Sequence, residues 1–167
     1  MTSPRPSATA AQSGPAPSQR PAESGSGESL IARLKTATEG SRELDFEIFK
    51  LLHPMYAKWE YRGFNSGGEY IKGPGRFREQ CPSDPYTTSI EAALTLVPDG
   101  WAWHRMKRVG RDRSIWMAIL LPEPRNNLPD AHGNAATPAL ALCIAALKAR
   151  AAPDGANPTE RNDGKDQ

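Results

Sequence analysis

Apolar residues recur at helical spacing along Thr137–Ala151, TPALALCIAALKARA. Leu140, Cys143, Ile144 and Leu147 fall on one side, and Ala151 continues the row. Thr137 is placed to accept a hydrogen bond from a free N–H of the first turn. Pro138 suits the first helical position, where its missing N–H costs nothing. Ala139, Ala141, Ala145, Ala146 and Ala149 fill the other faces with the best helix former. Lys148 and Arg150 stand where the helix dipole favours cations, and Pro153 marks the stop. The pattern predicts a core helix around which the rest of the chain packs. Its apolar run is shorter than the roughly 20 residues a bilayer span needs.

The same reading along the rest of the chain predicts a helix in two parts over Ser29–Leu52. Leu30, Ile31 and Leu34 form a first stripe, and Gly40 interrupts it. Ser41 restarts the helix, with Leu44, Ile48, Leu51 and Leu52 on its buried side. Arg42, Glu43, Asp45, Glu47 and Lys50 are then expected to face water, and Pro54 ends the element. Lys58–Arg62 alternates as a short strand. Gly63 to Pro85 reads as a loop, with a short strand at Glu69–Lys72. Thr88-Ser89-Ile90-Glu91 is a capping box that opens a helix over Ser89–Val97, with Ile90, Ala93, Leu94 and Val97 on one face. Trp101–Val109 and Ser114–Leu121 form an antiparallel hairpin about the turn Gly110-Arg111-Asp112-Arg113. Pro122 to Ala136 reads as a loop. Helices alternating with strands predict an α/β fold. The expected form is a three-layer α/β/α domain. Its small sheet would be built from Lys58–Arg62, Trp101–Val109 and Ser114–Leu121, covered by helices 41–52, 89–97 and 137–151.

Composition sets the limits of that domain within the 167 residues. Residues 1–28 are rich in Pro, Ser, Ala and Gly and lack aromatic residues, and residues 153–167 lack any apolar cluster. Neither stretch buries enough surface to offset its ordering entropy, so both are expected to be disordered tails. Residues 29–152 remain as one domain of ordinary size. The net charge of the chain is +2. The N-terminal tail is neutral and the C-terminal tail carries net −2, which leaves the core mildly basic at net +4. That excess is too small to imply nucleic acid by itself. Two cysteines make no disulfide framework. The N-terminus shows no apolar signal region, so a cytoplasmic setting is expected.

Candidate chemistry is sparse. His53, His104 and His132 are scattered, with no H-E-x-x-H spacing and no neighbouring C-x-x-C, so no metal site is expected. The glycines of GGEYIKGPG match neither a dinucleotide fingerprint nor a P-loop, and no cofactor is expected. Cys143 reads as a packed small hydrophobe, and nothing near Cys81 would activate it. Glu43, Asp45 and Glu47 read as a solvated helix face. No catalytic constellation emerges, so the chain is not expected to be an enzyme. The one patch that suggests binding is basic: Arg105, Lys107, Arg108, Arg111 and Arg113 around the hairpin tip, with Trp101 and Trp103 at its base. Cations can hold phosphates while an aromatic ring stacks on a base. Strand alternation would put Trp101, Trp103, Arg105 and Lys107 on one face. The blander reading is an edge kept soluble by charge.

Three blocks together resemble the successive motifs of the phage ABA sandwich domain. They are LIARLKTATEGSRELDFEI, PYTTSIEAALTLVPDGWAWH and ATPALALCIAALKARAA. The resemblance spans about residues 29–152. The family occurs in bacteriophages and prophages of bacteria. The resemblance implies an α/β/α sandwich and no activity, because the family has no established function. The expectation is therefore a non-enzymatic phage or prophage accessory protein. It would act in the bacterial cytoplasm through contacts with a protein partner, without cofactor, metal or membrane. The alternative is a nucleic-acid-binding regulator that uses the basic hairpin 105–113.

Overall fold

The computed structural model describes residues 25–125 and 128–152, so the disorder expected of residues 1–24 and 153–167 lies outside the described residues. In chain order the elements are helices α1 (Gly25–Thr36) and α2 (Arg42–Leu52) and strands β1 (Glu60–Asn65), β2 (Gly68–Lys72) and β3 (Arg78–Gln80). Helix α3 (Ile90–Leu94), strands β4 (Trp101–Val109), β5 (Ile115–Pro122) and β6 (Ala131–Ala135), and helix α4 (Pro138–Ala151) follow. Helix α1 thus begins ahead of Ser29.

Helix α4 is built as its pattern predicts. Thr137 caps it by accepting the Leu140 N–H, and Pro138 opens it. Residues 139–147 and Ala149 are all buried, so the helix has no solvent face along most of its length. It packs on β5 and β6 and is contacted elsewhere by α1 and α3. Burial of Leu140, Leu142 and Ile144 contributes roughly 1.5–3 kcal/mol each.

The strands form two separate antiparallel sheets, β1-β2-β3 and β4-β5-β6. This corrects the expectation of one sheet joining Lys58–Arg62 to the 101–121 hairpin. The first strand starts at Glu60 and pairs instead with β2, across a turn in which Asn65 accepts the Gly67 N–H. The short strand expected at Glu69–Lys72 is present as β2, and the stretch otherwise read as loop between Gly63 and Pro85 adds the end of β1 and all of β3 to it, aligned as Tyr61↔Ile71↔Glu79. Its glycines and charges hid the alternation, because only Ile71 is fully buried there. The loop expected over 122–136 likewise contains β6. Its sequence AHGNA has no β-branched residue and low strand propensity. Pairing with β5 and contact with α4 make it a strand.

Helix α2 keeps its predicted cap, since Ser41 accepts the Leu44 N–H. Its buried side holds Phe46 and Phe49 beside Leu44 and Ile48, while Leu51 and Leu52 are only half-buried. From Phe49 an aromatic chain runs through Tyr56 (5.2 Å) to Trp59, whose ring lies 5.4 Å from that of Tyr56. Helix α3 is shorter than the expected Ser89–Val97. Its cap is Ser89, which accepts the Ala92 N–H, while the Thr88 hydroxyl donates to the Pro85 carbonyl. The N-cap thus falls one residue later than expected, and with Ala92 at the third helical position the expected capping box does not form. Leu96 is buried beyond the helix end, whereas Ile90 is exposed.

The second sheet is covered on one face. Ala118 and Leu120 of β5 align with Gly133 and Ala131 of β6, and these positions lie under α4 and α1. The opposite face carries Ile115, Met117, Ile119 and Leu121, flanked by exposed His132 and Asn134 on β6. Among the described residues no helix covers it.

Candidate functional site

β4 is an edge strand, and an irregularity interrupts its pairing with β5 between Trp103 and Arg105. His104 is the extra residue. Such a bulge shifts every later side chain to the other face of the strand. Trp101 and Trp103 align with Pro122 and Leu120, on the face that α4 covers. Arg105 and Lys107 align with Ile119 and Met117, on the open face. The expectation that these four residues share one face is therefore corrected. A single extra residue cannot be read from alternation, which is why the sequence misled.

The other cations are split as well. Arg108 aligns with Trp116 and lies over its ring, 4.9 Å from the centroid. Arg111 and Arg113 sit in the turn after Val109, and both are exposed. Arg113 holds a left-handed φ of 55°, which a non-glycine residue adopts at some cost. Asp112 stabilises the turn by accepting the backbone N–H and the hydroxyl of Ser114. These hydrogen bonds hold the Asp112 carboxyl below the usual carboxylate range. Among the described residues, no ion pair engages Arg105, Lys107, Arg108, Arg111 or Arg113. The tip is thus a cluster of uncompensated positive charge, but Trp101 and Trp103 stand at the far end of the hairpin.

The surface that sequence reasoning missed is the open face itself. Ile115 is 42% exposed, and Met117, Ile119 and Leu121 are partly exposed along the same strand. After Ser114 the stretch SIWMAILL is apolar throughout, so it gives no sign that one of its faces has no helix over it among the described residues. Arg105 and Lys107 border this apolar row on one side, and His132 and Asn134 on the other.

A second correction concerns Asp45, expected on a solvated helix face. It is fully buried. Its carboxylate accepts the Thr87 N–H and the Thr87 hydroxyl, each at 2.7 Å, and Arg42 at 3.0 Å. Arg42 also reaches Glu69 of β2 at 2.6 Å and the Ser83 carbonyl at 2.7 Å. Burial pushes the Asp45 carboxyl up, against the pull of Thr87 and Arg42. Every donor here is internal, so the group ties α2 to β2 and to the segment before α3 rather than offering an acid to a substrate. Glu43 and Glu47 remain on the outer side, paired with Arg33 and Lys50.

Cys143 is buried, and its thiol donates to the Tyr86 carbonyl at 3.2 Å. Burial pushes that thiol far up, which suits packing and not nucleophilic attack. Cys81 is half-buried beside the Ser83 hydroxyl at 3.2 Å. His53, His104 and His132 are all exposed and lie apart, after the end of α2, on β4 and on β6. Among the described residues no group of three His, Cys, Asp or Glu side chains is placed to hold a metal ion. Among them also, no helix is long and apolar enough to cross a membrane. Compared with family models, with curated proteins and with solved structures, the chain finds no match in any of the three.

Proposed function

We propose that this is a non-enzymatic accessory protein of a phage or prophage. In this reading it works in the bacterial cytoplasm by docking a protein partner on the open face of its second sheet. The phage side of the reading rests on the three sequence blocks within residues 30–48, 85–104 and 136–152. The docking side rests on one observation: the apolar row Ile115, Met117, Ile119 and Leu121 is uncovered and bordered by Arg105 and Lys107, which have no acidic partner within the described chain. Contiguous exposed apolar surface with a charged border is the usual anatomy of a protein interface. Charge complementarity selects an amphipathic element with acidic flanks. The sandwich that the sequence blocks imply has helices on both faces of its sheet, and here the partner would supply the second helical layer.

The test is capture from phage-infected cells with the wild-type chain and with Met117→Glu/Ile119→Glu, followed by mass spectrometry. The wild type should retain a partner with an acidic amphipathic segment, and the variant should lose it while melting at the same temperature. Equal capture by both chains would remove the reading. A nucleic-acid-binding regulator is the second reading, favoured by the uncompensated cations Arg105, Lys107, Arg111 and Arg113. Their separation from Trp101 and Trp103 counts against it.

A further inference from the structure

The start of α1 and the ends of α2 and α4 meet around a cavity of about 480 Å³. Small-molecule sites typically measure roughly 300–1,000 Å³ and are mostly apolar. Here the apolar walls are Ile31, Leu51 and Leu52, each half-buried, and the buried Leu147. Gly27 also lines the cavity, and a Cβ there would meet nothing within 4 Å, so no side chain fills that wall. Two charges of opposite sign stand on the same lining, Glu28 on α1 and Arg150 on α4. Among the described residues neither takes part in an ion pair, with the other or with any third group. The Arg150 Nε donates to the Leu96 carbonyl at 2.8 Å, which holds the guanidinium in place and leaves its terminal nitrogens to donate elsewhere.

Apolar walls together with an unpaired acid and an unpaired guanidinium complement a molecule that carries an ammonium, a carboxylate and an apolar body. We propose that this cavity binds a free apolar amino acid. Its carboxylate would rest on Arg150, its ammonium on Glu28 and its side chain against Ile31, Leu51 and Leu52. The planar fork of arginine matches a carboxylate. An amphiphile with an acid group alone would leave Glu28 without a counter-charge, so the pair of charges favours a zwitterion. The cavity is walled by helices alone. The site therefore goes beyond the docking reading and is separate from the open face of the second sheet.

The experiment is isothermal titration calorimetry of the full chain with L-leucine at neutral pH. Leucine should bind with a Kd below about 1 mM, and glycine, which lacks the apolar body, should not bind in that range. Leucinamide lacks the carboxylate and N-acetyl-leucine lacks the ammonium, so each should bind about tenfold more weakly or worse. Arg150→Gln should weaken leucine about tenfold and leave leucinamide as it was. Glu28→Gln should weaken leucine to a similar degree and leave N-acetyl-leucine as it was. Gly27→Leu should melt no lower than the wild type, because the added side chain enters open space and a helix favours leucine over glycine. The same variant should lose leucine binding by filling the cavity. No leucine binding by the wild type, equal affinity for leucine, leucinamide and N-acetyl-leucine, or undiminished binding by Gly27→Leu would overturn the proposal. Tighter binding of octanoate than of leucine would overturn it in favour of an anionic amphiphile.

Discussion

Gly133 of β6 and Ala141 of α4 meet backbone to backbone. A Cβ built on Gly133 would stand 1.9 Å from the Ala141 carbonyl oxygen and 2.6 Å from the Ala145 nitrogen. Neither atom belongs to a side chain that can turn aside, so the helix would have to move off the sheet. Gly133→Ala should therefore destabilise the fold by about 3 kcal/mol, at the upper end of overpacking costs. Gly67→Ala, at an exposed turn position whose Cβ would meet only the Asn65 side chain at 3.4 Å, should stay within about 0.5 kcal/mol. Urea denaturation of the two variants beside the wild type measures both.

Asp45 should prove one of the most sensitive polar positions in the chain. Asp45→Ala leaves the Thr87 N–H and Arg42 without their buried acceptor and should cost about 3 kcal/mol or more. Asp45→Asn should cost less, since its side-chain carbonyl can still accept the Thr87 N–H.

The pH dependence of that position has a definite sign. Burial raises the folded Asp45 carboxyl above its ordinary value of 3.8, so the folded chain holds that proton more tightly than the unfolded chain. The stability it contributes is complete below the ordinary value and falls as pH rises through the folded value. Asp45→Asn does not titrate there. The stability of the wild type relative to Asp45→Asn should therefore decline as pH rises from about 4, then level off once the folded carboxyl is ionised. A difference that grows with pH in thermal melts would show that the pull of Thr87 and Arg42 outweighs desolvation.

Ile119 and Leu120 are neighbours on opposite faces of β5. Leu120 is fully buried, so Leu120→Ala should cost about 2–5 kcal/mol. Ile119 lies on the open face, and Ile119→Lys should cost under about 1 kcal/mol in the isolated chain. The same substitution should abolish partner capture. A large stability loss on Ile119→Lys would mean that this face is covered within the chain.

The 105–113 hairpin yields a separate salt test. If Arg105, Lys107, Arg111 and Arg113 contact about four phosphates of a duplex, the log–log salt slope should be near −3.6. Arg111→Ala/Arg113→Ala should then reduce its magnitude by nearly two units. The expected result under the docking reading is no duplex binding at about 50 mM salt. A sub-micromolar, salt-sensitive duplex complex lost in the double variant would favour the regulator reading instead.

The amino-acid sequence alone determined what depends on neighbours in the chain. Thr137 and Pro138 set the start of α4, and the apolar spacing from Leu140 to Leu147 set its course. Ser41 set the start of α2, and the Gly110–Arg113 turn set the 101–121 hairpin. Each of these rests on a cap, a period or a turn that closes its hydrogen bonds within a few residues. The tertiary structure alone decided the rest. It paired β1 with β2 instead of the hairpin, drew AHGNA into a strand against α4, and sank Asp45 beneath Thr87. It also set Arg105 and Lys107 on the open face by one bulge at His104, and among the described residues it placed no helix over the row from Ile115 to Leu121. Which strand a strand meets, and which face a helix covers, depends on contacts between residues far apart in the chain. An apolar run such as SIWMAILL has the same composition whether one face or both are buried.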